Sequence, residues 1–428
     1  MLTRRDFLAR SLKASTLLAC APAVPQFLAA TARAAEQDKD GTVLVVLEMG
    51  GGNDGLNTVI PYADDLYHKA RPTLRMTKKT VLKVNDHIGL HNGLNGLQQL
   101  LNDGQLACVQ GVGYPNPDRS HFESMDIWQS ADVTRANQSG WLARAVPSLH
   151  DKKGSIPAIQ LGPERLPLAL QGAAGGVVSL NQQVPYQLEL GADEKRHAPR
   201  RKLIEDLSKS AAEGPDDDLL AFVRRRQVQT YTTLDKLKEV LEAGKKDANA
   251  PQPAPMQVGA FRAGQSGLSG NLNLVAKLIK QGFGTRVFYV AIDGFDTHAN
   301  QAERHTTLLQ EVGGAIGSFF QTLKEGEHDK KVVLLTFSEF GRRVKENGSR
   351  GTDHGAGSCL FVAGPAVQGG PVGDHPKLDD LDSGDLRHAI DFRRVYATLL
   401  DQWLGVDSRA VLNGQFAHLP LLKKADKS

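Results

Sequence analysis

The sequence predicts an α/β fold built on a mainly parallel sheet, and three observations carry that expectation. Apolar, β-branched runs such as TVLVVL (residues 42–47) and KVVLLTF (residues 331–337) lack polar alternation, as strands buried on both faces require. They alternate along the chain with segments of helical period, the pattern of strands connected by helices. Several end in short turns dense in Gly, Asp, Ser, Glu and His, and an open parallel sheet binds its ligands beyond the carboxyl ends of its strands.

The elements follow in order. Residues 42–47 form the first strand. Residues 92–102 set Leu94, Leu97, Leu100 and Leu101 at helical spacing, and residues 106–112 return to a strand. Residues 119–130 read as a helix with Ser120 as N-cap and Glu123 three positions on, a capping-box pattern. Residues 156–161 are another strand. The stretch 193–257 has a different texture: charge-dense, with Leu219, Leu220, Val223, Leu234, Leu237 and Leu241 at helical spacings, and closed by the Pro-rich NAPQPAPMQ. It reads as a helical insertion and linker lying on the core. Beyond it, residues 272–280 and 308–323 are helical, residues 286–292, 331–337 and 358–363 are strands, and residues 392–404 form a closing helix.

Composition narrows the function. With 428 residues, 40% hydrophobic and 23% charged, the chain is neither a polytopic membrane protein nor collagen-like nor wholly disordered. The net charge of +3 comes from the start: residues 1–34 hold Arg4, Arg5, Arg10, Lys13 and Arg33 against Asp6, which leaves −1 for the remainder. A nearly neutral body lacks the basic face that nucleic acid or an anionic membrane surface requires. Residues 1–34 also carry Thr3-Arg4-Arg5-Asp6-Phe7-Leu8, an apolar stretch and Ala32-Arg33-Ala34, which together read as a twin-arginine signal peptide. The expectation is a periplasmic or exported protein delivered by the twin-arginine machinery, with no integral membrane span in the mature chain. Leu17-Leu18-Ala19-Cys20 also fits a lipoprotein box, which would leave a lipidated Cys20 as the new N-terminus. Cys108 and Cys359 lie in apolar runs, as two separate buried thiols or as a pair.

The polar turns hold the candidate chemistry. GGGNDGLNT follows the first strand with Asn53 and Asp54; Asp293-Gly-Phe-Asp296-Thr-His298 follows RVFYVAI; Ser338 and Glu339 follow KVVLLTF; Gly-Thr-Asp353-His354-Gly precedes SCLFVAG. Carboxylates and imidazoles meeting at one sheet edge form a divalent-metal ligand set suited to Zn or Mn, or to Mg or Ca where carboxylates predominate. Each signal has a plainer reading beside it. Asp54 fits an Asx turn, the Asp-His pairs fit loop hydrogen bonds, Glu339 fits a salt bridge to Arg342 or Arg343, and Ser120 fits an N-cap. His91, His121 and His305 read as hydrogen-bonded structural histidines.

The motifs GGNDGLNTVIP, RSHFESMDIWQ, DGFDTHANQ, TFSEFGRRVKENGSRGTDHG and GDLRHAIDFRRVYATLLDQWLG resemble the bacterial domain-of-unknown-function family 1501 over about residues 42–412. That family is similar to the alkaline phosphatase and sulfatase superfamily. The resemblance implies a three-layer α/β/α sandwich across residues 35–428, with a bimetal site at the sheet edge. It implies Ser120 as nucleophile and Asp54, Asp296, His298, Glu339 and His354 as metal ligands, with Asp293 a rival to Asp296 and Asn53, Arg342 and Asp353 around them. Two departures stand out: Phe340 occupies the place of a superfamily His, and Glu339 replaces a shorter Asp. One metal, an altered pair, or none are all compatible with that pattern. Two functions follow: an exported metal-dependent hydrolase of phosphate or sulfate esters, on a small-molecule or glycan substrate, or a non-catalytic envelope binding protein on the same fold.

Overall fold

The computed structural model describes residues 41–149, 156–162, 166–173, 177–180 and 267–424. The predicted leader, Cys20 and the helical insertion with its linker lie outside the described residues. The strands are β1 (Val43–Gly50), β2 (Val59–Ile60), β3 (Val81–Lys83), β4 (Gly89–His91), β5 (Leu106–Gly113), β6 (Ala158–Leu161), β7 (Val177–Leu180), β8 (Val287–Asp293), β9 (Val332–Phe337), β10 (Ser358–Ala363), β11 (Gly370–Val372), β12 (Leu381–Asp382), β13 (Asp385–Leu386) and β14 (Ile390–Asp391). The helices that build the layers are α1 (His121–Ser130), α2 (Trp141–Ala145), α3 (Leu268–Lys280), α4 (Gln301–Lys324), α5 (Phe392–Leu399) and α6 (Ser408–Leu412).

Among the described residues, nine strands form the central sheet in the order β11-β5-β10-β9-β1-β8-β6-β7, with β14 also paired to β5. β2, β4 and β3 make a small separate sheet, and β12 and β13 a hairpin. β1 lies parallel between β8 and β9. Its side chains alternate: Val43, Val45, Leu47 and Met49 enter one apolar core, Leu44 and Val46 the other. Both faces are therefore covered, which explains the unbroken apolar run. α3 and α4 fill the first core and α1, α2, α5 and α6 the second, giving three α/β/α layers. Among the described residues no helix is long and apolar enough to cross a membrane.

β10 is antiparallel to both of its neighbours, β5 and β9. Among the described residues the other pairings of the sheet are parallel, so β10 runs reversed to them. This reversal decides the geometry of the site. The turn before β10 emerges at the same edge as the turns after β1, β5, β8 and β9, so His354 meets residues that follow the other strands.

Three local expectations are corrected. The predicted helix over 92–102 is a 3-10 segment, Asn92–Leu97, running into a short α-helix, Gln98–Asn102. Gly93 and Gly96 weaken regular helix there, and Gly96 packs directly on the backbone of Gly313 and Gly317 in α4. The closing helix changes from α to π geometry at Leu400–Leu404. The capping box does not form: Ser120 holds the N-cap position without a side-chain cap bond, its amide is taken by Asp118 Oδ1 at 2.7 Å, and Glu123 pairs with Arg135. Cys108 and Cys359 sit diagonally across β5 and β10, facing Phe361 and Gln110, and both are buried free thiols.

Candidate functional site

The Gly-rich turn after β1 sets the floor of the site. Gly51 and Gly52 have φ of +112° and +72°, and a Cβ on Gly52 would collide with the Phe340 ring. The turn is pinned by the buried Arg342, which donates to the carbonyls of Gly51 and Gly52 and, at 3.1 and 2.9 Å, to those of Phe295 and Thr352. One guanidinium thus gathers the loops after β1, after β8 and before β10. It also reaches Asp296 Oδ1 at 2.6 Å.

Asp296 Oδ1 is the point on which the imidazoles converge. His298 Nδ1 lies 2.9 Å from it, His354 Nε2 3.1 Å and His121 Nε2 3.6 Å. The donor atoms of His121, Asp296 and His354 all fall within 4.8 Å of one another. Partial burial opposes ionisation of Asp296, but the Arg342 hydrogen bond and nearby positive charge outweigh it and hold the carboxyl at about 2.

Two imidazoles are fixed by their second nitrogen. His121 Nδ1 is 2.7 Å from Glu339 Oε1, and His354 Nδ1 is 2.9 Å from the Arg119 carbonyl. Both partners accept, so each ring carries hydrogen on Nδ1, and in the neutral ring Nε2 turns its lone pair toward the cluster. Glu339 is positioned in turn by the Gly51 amide at 2.9 Å and by Ser338 Oγ at 2.9 Å on the other oxygen. The Glu339 bond raises the pKa of His121 against the effect of burial, whereas burial lowers that of His354. Burial opposes ionisation of Glu339 as well, and the His121 bond and backbone amides bring its pKa below the ordinary value.

Donor chemistry fits a divalent metal. Imidazole nitrogens oriented by a carboxylate and a carbonyl, beside an ionised carboxylate, form the N/O set used for Zn or Mn, with the outer partners that such ligands require. Asp296 Oδ2 carries no hydrogen bond among the described residues, which leaves one oxygen of the carboxylate open.

The expected site residues separate into groups. Asp296, His298 and His354 come together, and Glu339 joins them through His121. Ser120 is exposed at the start of α1, between Arg119 and His121, both of which touch the cluster. Phe340 is buried with its ring 4.9 Å from that of His121 and 4.8 Å from that of His354, so it backs both imidazoles. Asp293 ends β8 opposite Gly50, where burial and the charge of Glu339 raise its pKa. Asp353 is spent on Asn347 Nδ2 at 2.9 Å. Asn53 bonds Ser338 Oγ through its amide at 2.9 Å and lies 3.0 Å from His305 Nε2.

Asp54 is the main correction. It is fully buried, its Oδ2 accepts from Arg71 Nη1 and Gln301 Nε2, both at 2.5 Å, and its Oδ1 from the Asn57 amide at 3.3 Å. Burial opposes its charge, but Arg71 lowers its pKa overall. The carboxylate is committed to a buried ion pair below the site, and faces no imidazole of the cluster. His91 and His305 are hydrogen-bonded as expected, His91 Nδ1 taking the Gly93 amide at 2.9 Å.

Two residues were missed by sequence reasoning. The sequence reads His121 as a structural histidine; its adjacency to Ser120 at a predicted helix start is the signal available. Glu48 is a carboxylate inside the apolar run of β1, facing Gln129 Nε2 at 2.7 Å and the Tyr289 hydroxyl, with its pKa pushed up to about 7 by burial, then by Glu339 and Asp293.

No curated protein matches the chain. Similar solved structures include a protein in the alkaline phosphatase superfamily from Vibrio parahaemolyticus, at 9% identity, TM-score 0.36, covering 88% of this chain and 71% of that one. Another is alkaline phosphatase from the Antarctic bacterium TAB5, at 10% identity and TM-score 0.31, covering 76% and 92%. A third is the C-terminal periplasmic domain of EcEptC from Escherichia coli in complex with Zn, at 9% identity and TM-score 0.33, covering 77% and 75%. A family model described as protein of unknown function (DUF1501) matches residues 42–419, and the chain belongs to that family.

Proposed function

We propose that the protein is an exported, metal-dependent hydrolase of phosphate or sulfate esters, with Ser120 as nucleophile. The observation that supports it is the convergence of His121, His298 and His354 on Asp296 beside Ser120, at the sheet edge. His121 Nε2, His354 Nε2 and Asp296 would hold a divalent ion, with His298 as a further donor. That ion would supply a Lewis acid that lowers the pKa of a hydroxyl and stabilises charge on non-bridging oxygens.

The chain's own residues do the rest. Ser120 Oγ, free of capping, would attack phosphorus or sulfur as the ester oxygen leaves with the hydroxyl proton, and water would then cleave the serine ester to release phosphate or sulfate and restore Ser120. The first-turn amides of α1 favour an anion at this helix start. Glu339 keeps hydrogen on His121 Nδ1, Arg119 does the same for His354, and Arg342 holds Asp296 in place without touching substrate.

The substrate on this reading is a small-molecule or glycan ester, and the twin-arginine leader delivers the folded chain to the periplasm. The test is hydrolysis of p-nitrophenyl phosphate, bis(p-nitrophenyl) phosphate and p-nitrophenyl sulfate by Zn- or Mn-loaded protein. Turnover that disappears in Ser120→Ala while bound metal stays stoichiometric is expected. No hydrolysis of any ester, or full activity in Ser120→Ala, overturns it. Phe340, a ring without a donor packed against two imidazoles, favours a second reading as a non-catalytic envelope binding protein. Protein that folds yet retains no metal by elemental analysis selects that alternative.

A further inference from the structure

Asp385 lies on β13, outside the imidazole cluster, yet its side chain is only 2% exposed. A buried carboxylate is costly unless paired, and its compensation here is Arg119, which donates to Oδ2 through Nε at 2.8 Å and through Nη2. Arg343 Nε is 3.8 Å from the other oxygen, too far for a hydrogen bond.

The partner of Asp385 belongs to the segment that carries the site. The main-chain carbonyl of Arg119 is the group on His354 Nδ1, the next residue is Ser120, and the one after is His121. The hairpin also grips the opposite loop, since the Leu386 carbonyl accepts from the Gly357 amide at 3.1 Å, three residues beyond His354. The β12–β13 hairpin therefore holds both loops that the Arg119–His354 bond joins.

We propose that Asp385 is a positioning residue: through Arg119 it keeps the Arg119 carbonyl on His354 Nδ1, and so fixes which His354 nitrogen faces Asp296 and where Ser120 and His121 stand. Part of this rests on the metal reading above, so the test has one arm that does not. The bond is local to one guanidinium and one carbonyl. Loss of the Asp385 charge frees the Arg119 side chain and lets the peptide shift, whereas the core strands keep their pairing.

The experiment uses the full chain labelled with 15N-histidine, with the His354 Nδ1–H resonance assigned by its loss in His354→Ala. In Asp385→Asn the exchange of that proton with water is expected to accelerate at least tenfold, and Co2+ affinity, read from visible absorption, to fall about tenfold, as for other outer partners of ligating histidines. Arg119→Gln, at a half-exposed side chain, is expected to do the same, and the double variant to be no worse than either single one. If Asp385→Asn does not fold, Arg119→Gln decides. An unchanged His354 Nδ1–H resonance in a folded variant, or additive effects in the double variant, overturns the proposal. Wild-type protein that binds no Co2+ defeats the metal reading alone, and the proton resonance still decides the role of Asp385.

Discussion

His121 and Glu339 are joined by a 2.7 Å hydrogen bond between Nδ1 and Oε1, across 218 positions of sequence. It couples the start of α1 to the turn after β9, and through Glu339 to the Gly51 amide.

This pair predicts a pH dependence in metal-free protein. The His121 pKa is raised above its ordinary 6.5, so the stabilisation is full below 6.5 and is lost as pH rises through the folded value. Glu339 is lowered from 4.5, so its share is present above 4.5 and is lost as pH falls through its own folded value. Melting temperature should fall more steeply between pH 6.5 and 8.5 in the wild type than in Glu339→Gln. Identical slopes in the two proteins would show that the bond does not form.

Arg71 and Asp54 make a second prediction. Arg71→Met leaves a buried carboxylate without its cation and should cost about 3–5 kcal/mol in denaturant unfolding. Adding Asp54→Asn should recover a large part, since the uncompensated charge is gone. Asp54→Asn in metal-binding assays should leave affinity within about twofold, once the folded fraction is matched; a loss like that expected of a ligand, tenfold or more, would restore Asp54 to the metal site.

Gly52→Ala tests the floor of the site. The positive φ and the nearby Phe340 ring both oppose a side chain, so a loss of about 1–3 kcal/mol is expected, together with weaker metal binding as Phe340 is displaced. Stability equal to wild type would mean the turn has another conformation.

The thiols give the fourth. Burial pushes Cys108 up to about 12 and raises Cys359 as well, so neither supplies thiolate near neutrality. A thiol reagent at pH 8 should leave both unmodified in folded protein and label both in denaturant. Rapid labelling of the native chain, or a disulfide found by mass spectrometry, would contradict the structure.

Much of this architecture was legible in the sequence because apolar strands buried on both faces have a strong local signal, as in β1 and β9. The antiparallel run of β10 was not, since direction is set by pairing partners that the strand's own residues do not encode. Asp296, His298 and His354 were legible from residue type after apolar runs. Asp54 misled because its decisive partner, Arg71, lies 17 positions away, at the end of a short helix (Asp65–Ala70) outside the strand-end motifs. His121 and Glu48 escaped because one sits at a helix start that a cap explains and the other in an apolar strand.

The place of β10 bears on how the chain matures. It fills the gap between β5 and β9, so until residue 363 has left the ribosome the sheet is two pieces with exposed, hydrogen-bonding edges. The edge that gathers His121, Asp296 and His354 cannot be complete in a nascent chain shorter than this. A stalled or truncated product ending before β10 would then be an aggregation hazard, without a native site to load.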